Sequence, residues 1–540
     1  MLRKTCSVPF IILLLWLATV GARAQSFKVQ CPTSTITHPA ANNNSEPAYL
    51  GPTAFTTDPT GQFLKPTGNV NGAIKCQQIS GGDGYATMGD GTQTYLFSFG
   101  PLSGIADIAA GKPGTQFPNA FNTVYTGAML QPGDPATYDN AHAGLGSFTY
   151  NGAIGLMPNR DTGGAIDGHV DPRQIMDIGV MNGNIPAPLM AIDEDDEFFL
   201  TLTNVGQIMR PDLFEQHTVH FHGYPNASGF YDGVPDASVA INIGGSFTYY
   251  YLAPEAGTYF WHCHITPPEH LQMGMVGQIY VRPRQDRVSG DLYAALGQQQ
   301  ADPRTACNSA ADILCSNPLP AVPTGASGKA TVHAGGTSGY AYNDGDGSTW
   351  YDVEYPIQIH GFDPNFHFVG MTFNPENMTD MKDKYFLLNG RSYPDTVTAG
   401  PLQTMTADGA MHYSQPLSSI ITIPAGKRAL LRISDLDVTE YQTLASMGIP
   451  MQVIGLNARL LRDQAGKNLY YTTNSITLAG GESLDLILDT CAVRSNPADP
   501  SSACTTALPT GTYYLYTSNL DHLSNDAENF GGLMTEVRIN

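Results

Sequence analysis

Two short stretches concentrate the reactive side chains of this chain. The first reads His217-Thr218-Val219-His220-Phe221-His222-Gly223, and the second reads His262-Cys263-His264, followed by His270 and Met275. On a strand alternate side chains share a face. His220 and His222 therefore point together, and His262 and His264 share one face while Cys263 points to the other. Thiolate, imidazole and thioether donors together select copper, and two histidines, a cysteine and a long axial methionine make the blue-copper arrangement. The candidate ligands are Cys263 and His270 from one hairpin-like segment, Met275 five residues beyond His270, and His217 closing the site from a neighbouring strand. Zinc also takes cysteine and histidine, but has no use for the trailing Gly274-Met275. A lone His-x-His is more often surface decoration than a ligand pair; here the second of two straddles a cysteine.

That cysteine is left over by arithmetic. Of the 8 cysteines, Cys6 lies in the leader, and six others form neighbouring pairs: Cys31 with Cys76, Cys307 with Cys315, and Cys491 with Cys504. An odd cysteine in an oxidising compartment calls for a function, and the odd one is Cys263. The compartment is read from the start of the chain. Arg3 and Lys4 precede an apolar run from Val8 to Val20, then Ala22-Arg23-Ala24 offers a cleavage site, the order of a secretory signal. A retained anchor is the alternative, although the run is short for a bilayer span and no later apolar stretch is long enough. The expected location is secreted, periplasmic or extracellular, without stable membrane insertion.

The elements that must position these residues are short strands. Glycine (57) and proline (38) are frequent and only 14% of residues are charged, which suits an all-β chain with many turns. Strand-like runs cover Tyr95–Phe99, Gln174–Val180, Glu197–Thr203, Ser246–Leu252, Gly257–Cys263 and Gly277–Val281. After a gap they resume at Lys384–Leu388, Ser419–Ile423, Ala429–Ser434, Leu484–Asp489, Gly511–Thr517 and Leu533–Ile539. The halves echo each other: Gly257-Thr-Tyr-Phe-Trp-His262 is answered by Gly511-Thr-Tyr-Tyr-Leu-Tyr516, as one sandwich duplicated would be. The expected organisation is a signal peptide at 1–24, an irregular N-terminal extension at 25–91 and a metal-binding domain at 92–284 with a long insertion at 101–172. A linker at 285–349 then leads to a second domain at 350–540.

Net charge is −22, and removing Arg3, Lys4 and Arg23 with the leader makes it −25. Nucleic acid is excluded as a partner, and a cationic reductant would be drawn in, although solubility alone also accounts for the charge. The acidic run Asp193-Glu-Asp-Asp-Glu197 is read as a solvated turn before a strand, with cation attraction as the alternative.

The motifs His220-Phe-His222-Gly223, Asp232-Gly-Val-Pro235, Gly245-Ser-Phe-Thr-Tyr249 and Ala256-Gly-Thr-Tyr259 resemble the first cupredoxin domain of multicopper oxidases. His217-x-x-His220-x-His222 and His262-Cys-His264 look like the motifs that carry type 1 and type 3 copper in that family's last domain. Residues 350–540 resemble its copper-free middle domain, through Leu388-Asn-Gly-Arg-Ser-Tyr-Pro-Asp395 and Ile423-Pro-Ala-Gly-Lys427. Tyr516, Thr517 and Ser518 stand there in place of His262, Cys263 and His264.

The resemblance implies two Greek-key cupredoxin β-sandwich domains with long loop insertions. It implies type 1 copper on His217, Cys263, His270 and Met275, and type 2 or type 3 copper on His220, His222, His262 and His264. Asp232 would deliver protons, or simply occupy a turn before Gly233. A family cluster uses four His-x-His pairs and this chain has two, so either two subunits each supply half or fewer coppers bind. His360, His367 and His522 are the reserve ligands a neighbour could offer. The implied activity passes single electrons from a small-molecule or metal-ion reductant to O2, in a homo-oligomer. The alternatives are a blue-copper carrier without turnover and a nitrite-reductase-like enzyme. Copper nitrite reductases carry aspartate where His220 stands and no histidine where His264 stands.

Overall fold

The computed structural model describes residues 31–39, 45–51, 53–57, 59–61, 64–121, 181–207, 209, 215–223, 228–243, 245–253, 255–288, 338–371, 377–405 and 411–540. The signal peptide, the strand expected at Gln174–Val180 and the pair Cys307–Cys315 lie outside them, as do most of the insertion and linker.

In the first half the strands are β1 (Ala54–Thr57), β2 (Leu64–Gly68), β3 (Ile74–Thr87), β4 (Gln93–Pro101), β5 (Met190–Asp193), β6 (Glu197–Gly206), β7 (His220–Phe221), β8 (Ser246–Leu252), β9 (Gly257–His262) and β10 (Val276–Arg282). Helix α1 (Pro267–Gln272) joins the last two strands. Apart from the β1–β2 hairpin they make two four-stranded sheets, ordered β4-β3-β6-β8 and β5-β10-β9-β7. Ile79, Phe97, Leu200, Leu202 and Tyr249 of the first sheet meet Met190, Ile192, Phe221, Trp261 and Ile279 of the second in one buried cluster. Apolar residues on facing sheet surfaces make a sandwich core.

The second half repeats this plan. Tyr385–Leu388, Val353–Phe362, Arg428–Asp435 and Glu482–Asp489 lie in that order in one sheet. Ile421–Ile423, Met534–Ile539, Gly511–Tyr516 and Gln442–Met447 lie in that order in the other. Directions agree too. β3 is parallel to β6 and β5 to β10, just as Val353–Phe362 is parallel to Arg428–Asp435 and Ile421–Ile423 to Met534–Ile539. Two β-sandwiches of one topology stand in one chain. Cys31–Cys76 and Cys491–Cys504 are disulfides, and Cys263 is the free cysteine among the described residues.

Two expectations are corrected. Residues 74–87, placed in an irregular extension, form the long strand β3 inside the first sheet. Its Gly81-Gly82-Asp83-Gly84 stretch lacks β-formers, and two of its glycines have no room for a side chain. A Cβ at Gly84 would lie 2.0 Å from Gly183 O, and one at Gly81 would lie 2.7 Å from the His217 ring. Nor is the acidic run solvated: Asp193, Glu194, Asp195, Asp196 and Glu197 are all buried. Arg284 and Arg287 pair with Asp195 at 2.6 and 3.4 Å, and Asp196 accepts the Ala73 and Asp193 N–H groups. Buried charge persists only where it is paired or hydrogen-bonded, and here the partners lie far along the sequence.

Candidate metal centre

β9 delivers residues to two places at once. Tyr259, Trp261 and Cys263 alternate with Phe260, His262 and His264 and face the sandwich core, where Cys263 and Met275 belong to the buried cluster. His270 Nδ1 lies 3.2 Å from Cys263 Sγ and His217 Nδ1 lies 4.0 Å from it. The ligand atoms of these three buried residues fall within 4.8 Å of one another. The Thr218 N–H donates to Cys263 Sγ at 3.4 Å. Met275 is fully buried; its N–H donates to His270 O, and its carbonyl accepts from the Cys263 N–H. The ring of His217 rests against Gly81 of β3.

The electrostatics suit a soft cation. Burial, and then His270, holds His217 well below the usual histidine value, leaving a neutral ring with a lone pair. Burial works against a charge on His270, but the Cys263 sulfur and the Glu215 carboxylate outweigh it and push the ring up to about 10. A sulfur and an imidazolium held this way exchange their proton for a metal. His217 Nε2, fully buried, has no hydrogen-bond partner among the described residues. A thiol and two imidazoles, buried and converging, with Met275 in the same buried cluster as the cysteine, fit copper.

On the other face of β9, His220 sits directly across from His262 in the β7–β9 pairing, and His222 is held alongside by its N–H to Phe260 O. Ring centroids are 4.9 Å apart for His220–His222, 5.4 Å for His220–His262 and 5.0 Å for His220–His264. The ligand atoms of His220, His222 and His262 fall within 4.8 Å of one another, with His264 beside them.

His220 Nδ1 donates to Asp232 O at 2.6 Å, and His262 Nδ1 donates to Cys263 O at 2.7 Å. Both rings therefore keep Nε2 as the coordinating atom, a tautomer assigned from the network. His262 Nε2 meets His222 Nε2 at 2.9 Å, a contact that a bound cation would replace. Burial, then neighbouring histidines, brings His222 down to about 4; burial brings His262 down to about 3. Imidazoles kept neutral by their surroundings are ready metal ligands. The Asp232 carboxylate lies 3.6 Å from His220 Nδ1, but it is the main-chain carbonyl that makes the close contact.

The equivalent place in the second half keeps the backbone and loses the donors. The Thr517 N–H bonds to Leu533 O as the Cys263 N–H bonds to Met275 O. His360, His367 and His522 do not form reserve ligands. Each is buried and engaged internally, His360 with Leu271 O, His367 with Tyr95 O and Gln272 O, and His522 with Gln442 and Glu440. Sequence reasoning missed Glu215, whose carboxylate lies 3.5 Å from His270 Nε2; no motif marks it.

Residues 166–286 match the family model described as multicopper oxidase. Laccase abr2 of Aspergillus fumigatus is 33% identical over 111 residues, which is 20% of this chain and 17% of that protein. A copper-containing nitrite reductase of Rhizobium meliloti is 35% identical over 114 residues, 20% of this chain and 27% of that one. The chain thus spans less than a third of the length of these curated relatives. Among solved structures, a blue copper oxidase from Nitrosomonas europaea aligns over 86% of this chain and 85% of its own, with TM-score 0.46 and 16% identity.

Proposed function

We propose, for a chain whose residues 166–286 match the multicopper oxidase family model, a copper-dependent oxidase that takes single electrons from a reductant and reduces oxygen. The observation that carries this reading is the double use of β9: one core-facing cysteine, flanked in sequence by two histidines that join His220 and His222 on the opposite face. Copper, when bound, supplies the one-electron chemistry. His217, Cys263, His270 and Met275 are assigned to a type 1 site, and His220, His222, His262 and His264 to type 2 or type 3 copper. Covalent bonds from Cys263 to its two neighbours join the sets.

Glu215, partly exposed beside His270 Nε2, marks the edge where a reductant would dock. Dry walls around Cys263 keep solvent from the thiolate. Asp232 fixes the His220 tautomer through its carbonyl, and its half-exposed carboxylate is placed to pass protons toward that face. The reductant is a small molecule or a metal ion. The disulfides support an oxidising compartment, secreted, periplasmic or extracellular.

Four imidazoles make half of a family cluster, and His360, His367 and His522 are engaged inside the fold. The face therefore calls for a cover, which we assign to a neighbouring copy in a homo-oligomer of closed symmetry. Phe230, 54% exposed in the turn before Asp232, suits such a contact. Copper counting by native mass spectrometry, with oxygen uptake, tests the reading. An oligomer with more than one copper per subunit that consumes oxygen supports it. A monomer with one copper that turns over no donor leaves the electron-carrier reading, which the half-set of histidines favours. Nitrite reduction is the weaker alternative because His220 and His264 are both present.

A further inference from the structure

Between His270 and Met275 the chain passes through Leu271 and Gln272, and the second half grips both. His360 Nε2 donates to Leu271 O at 2.8 Å. The Gln272 side chain, fully buried, donates from Nε2 to Asp383 Oδ1 at 2.9 Å, and its Oε1 accepts the Asp363 N–H at 2.9 Å. His367, on helix α2 (Pro364–Met371), lies with Nε2 3.0 Å from Gln272 O and Nδ1 2.7 Å from Tyr95 O, so its ring is wedged between the loop and β4 and donates to one of the two carbonyls.

Three of these residues are themselves held. His367 stacks on Phe362, with centroids 3.8 Å apart. Asp363 accepts the N–H groups of Asn365 and Lys382. Asp383 accepts from the Thr439 hydroxyl. The grip falls on the segment separating two copper-ligand candidates, whereas Cys263 follows directly on β9 and is held by contacts within the first half.

We propose that His360, Asp363, His367 and Asp383 are positioning residues. Acting through Leu271 and Gln272, they set where His270 and Met275 stand relative to Cys263. The copper-free half thereby tunes the spectrum and reduction potential of a site to which it gives no ligand. This rests on the copper assignment above. Ligand geometry fixed by surrounding hydrogen bonds is a known lever on metal properties. The weak axial contact is the one that a loose loop would change first.

The test uses the copper-loaded full chain with His367→Phe, which keeps the stack on Phe362 and loses both carbonyl contacts, and Gln272→Met, which keeps length without the amide. Leu515→Ala, in the second-half core, controls for general destabilisation. At full copper occupancy, both clamp variants should shift the intensity ratio of the two sulfur-to-copper bands, the copper hyperfine splitting and the reduction potential. Leu515→Ala should leave all three unchanged. Clamp variants identical to wild type overturn the proposal, as does a Leu515→Ala shift of equal size.

If neither clamp variant folds, hydrogen exchange of the unaltered protein decides. Amides of Met273, Gly274 and Met275 should be protected like those of Leu430–Ser434, and exchange as fast as that of the exposed Gln464 overturns the clamp. A colourless copper-loaded wild type would sink the copper assignment instead, and the exchange measurement would still judge the clamp.

Discussion

At the scale of single residues, Cys263 is the candidate ligand on which the copper proposal turns, and it is fully buried. Its sulfur faces His270 Nδ1 at 3.2 Å and accepts the Thr218 N–H. Cys263→Ser should abolish the sulfur-to-copper charge-transfer colour of the oxidised protein, read by visible absorption; a variant that stays blue removes the assignment. Met275→Leu should keep the colour and raise the reduction potential, because a weak axial donor is replaced by hydrocarbon. An unchanged or lowered potential would show that Met275 does not reach the metal. These residues were legible in the sequence because donor types and spacing carry the chemistry directly. Glu215 was not, since only the fold brings it to His270 Nε2. Asp232 was legible as a candidate, but its close contact to His220 runs through the main chain.

At the scale of elements, strands rich in aromatic and β-branched residues, such as Ser246–Leu252 and Gly257–His262, stood out in the sequence, while β3 did not. Its glycines are read naturally as loop, yet they clear space for Gly183 and for His217. Gly81→Ala would place a methyl group 2.7 Å from the His217 ring. Overpacking of this kind costs about 1–3 kcal/mol. We expect a lowered denaturant midpoint together with weakened blue absorbance at equal added copper; normal absorbance and stability would mean that β3 does not back the ligand.

The buried carboxyl of Asp383 offers a pH test. Burial, then the neighbouring Asp437, raises it well above the ordinary aspartate value. Between the unfolded and folded values the native state holds a proton that the unfolded chain has lost, so stability falls as pH rises through that window. Asp383→Asn cannot ionise and can still accept from Gln272. Its urea midpoint should therefore decline less than that of wild type between pH 5 and pH 8. Parallel declines would show that Asp383 is not protonated in the fold.

At the scale of the whole molecule, two sandwiches of one strand order divide the labour. The first holds every candidate ligand, and the second keeps the same backbone around Thr517 and Leu533 while gripping the loop that carries His270. The duplication was legible from repeated segments, but the grip was not, because its contacts join residues about ninety positions apart, such as Gln272 and Asp363. The burial of the acidic run was hidden for the same reason, its partners Arg284 and Arg287 arriving from the end of the first half.

In the proposed oxidase, electrons entering at Cys263 leave through the His220, His222, His262 and His264 face to oxygen. The most direct test of this route is to reduce the copper-loaded protein anaerobically until the blue band is bleached, then admit air-saturated buffer in a stopped-flow cell. The blue band should return in the wild type, and His220→Ala and His264→Ala, reduced the same way, should stay bleached. A wild type that remains colourless under oxygen, or variants that recover at its rate, would contradict it.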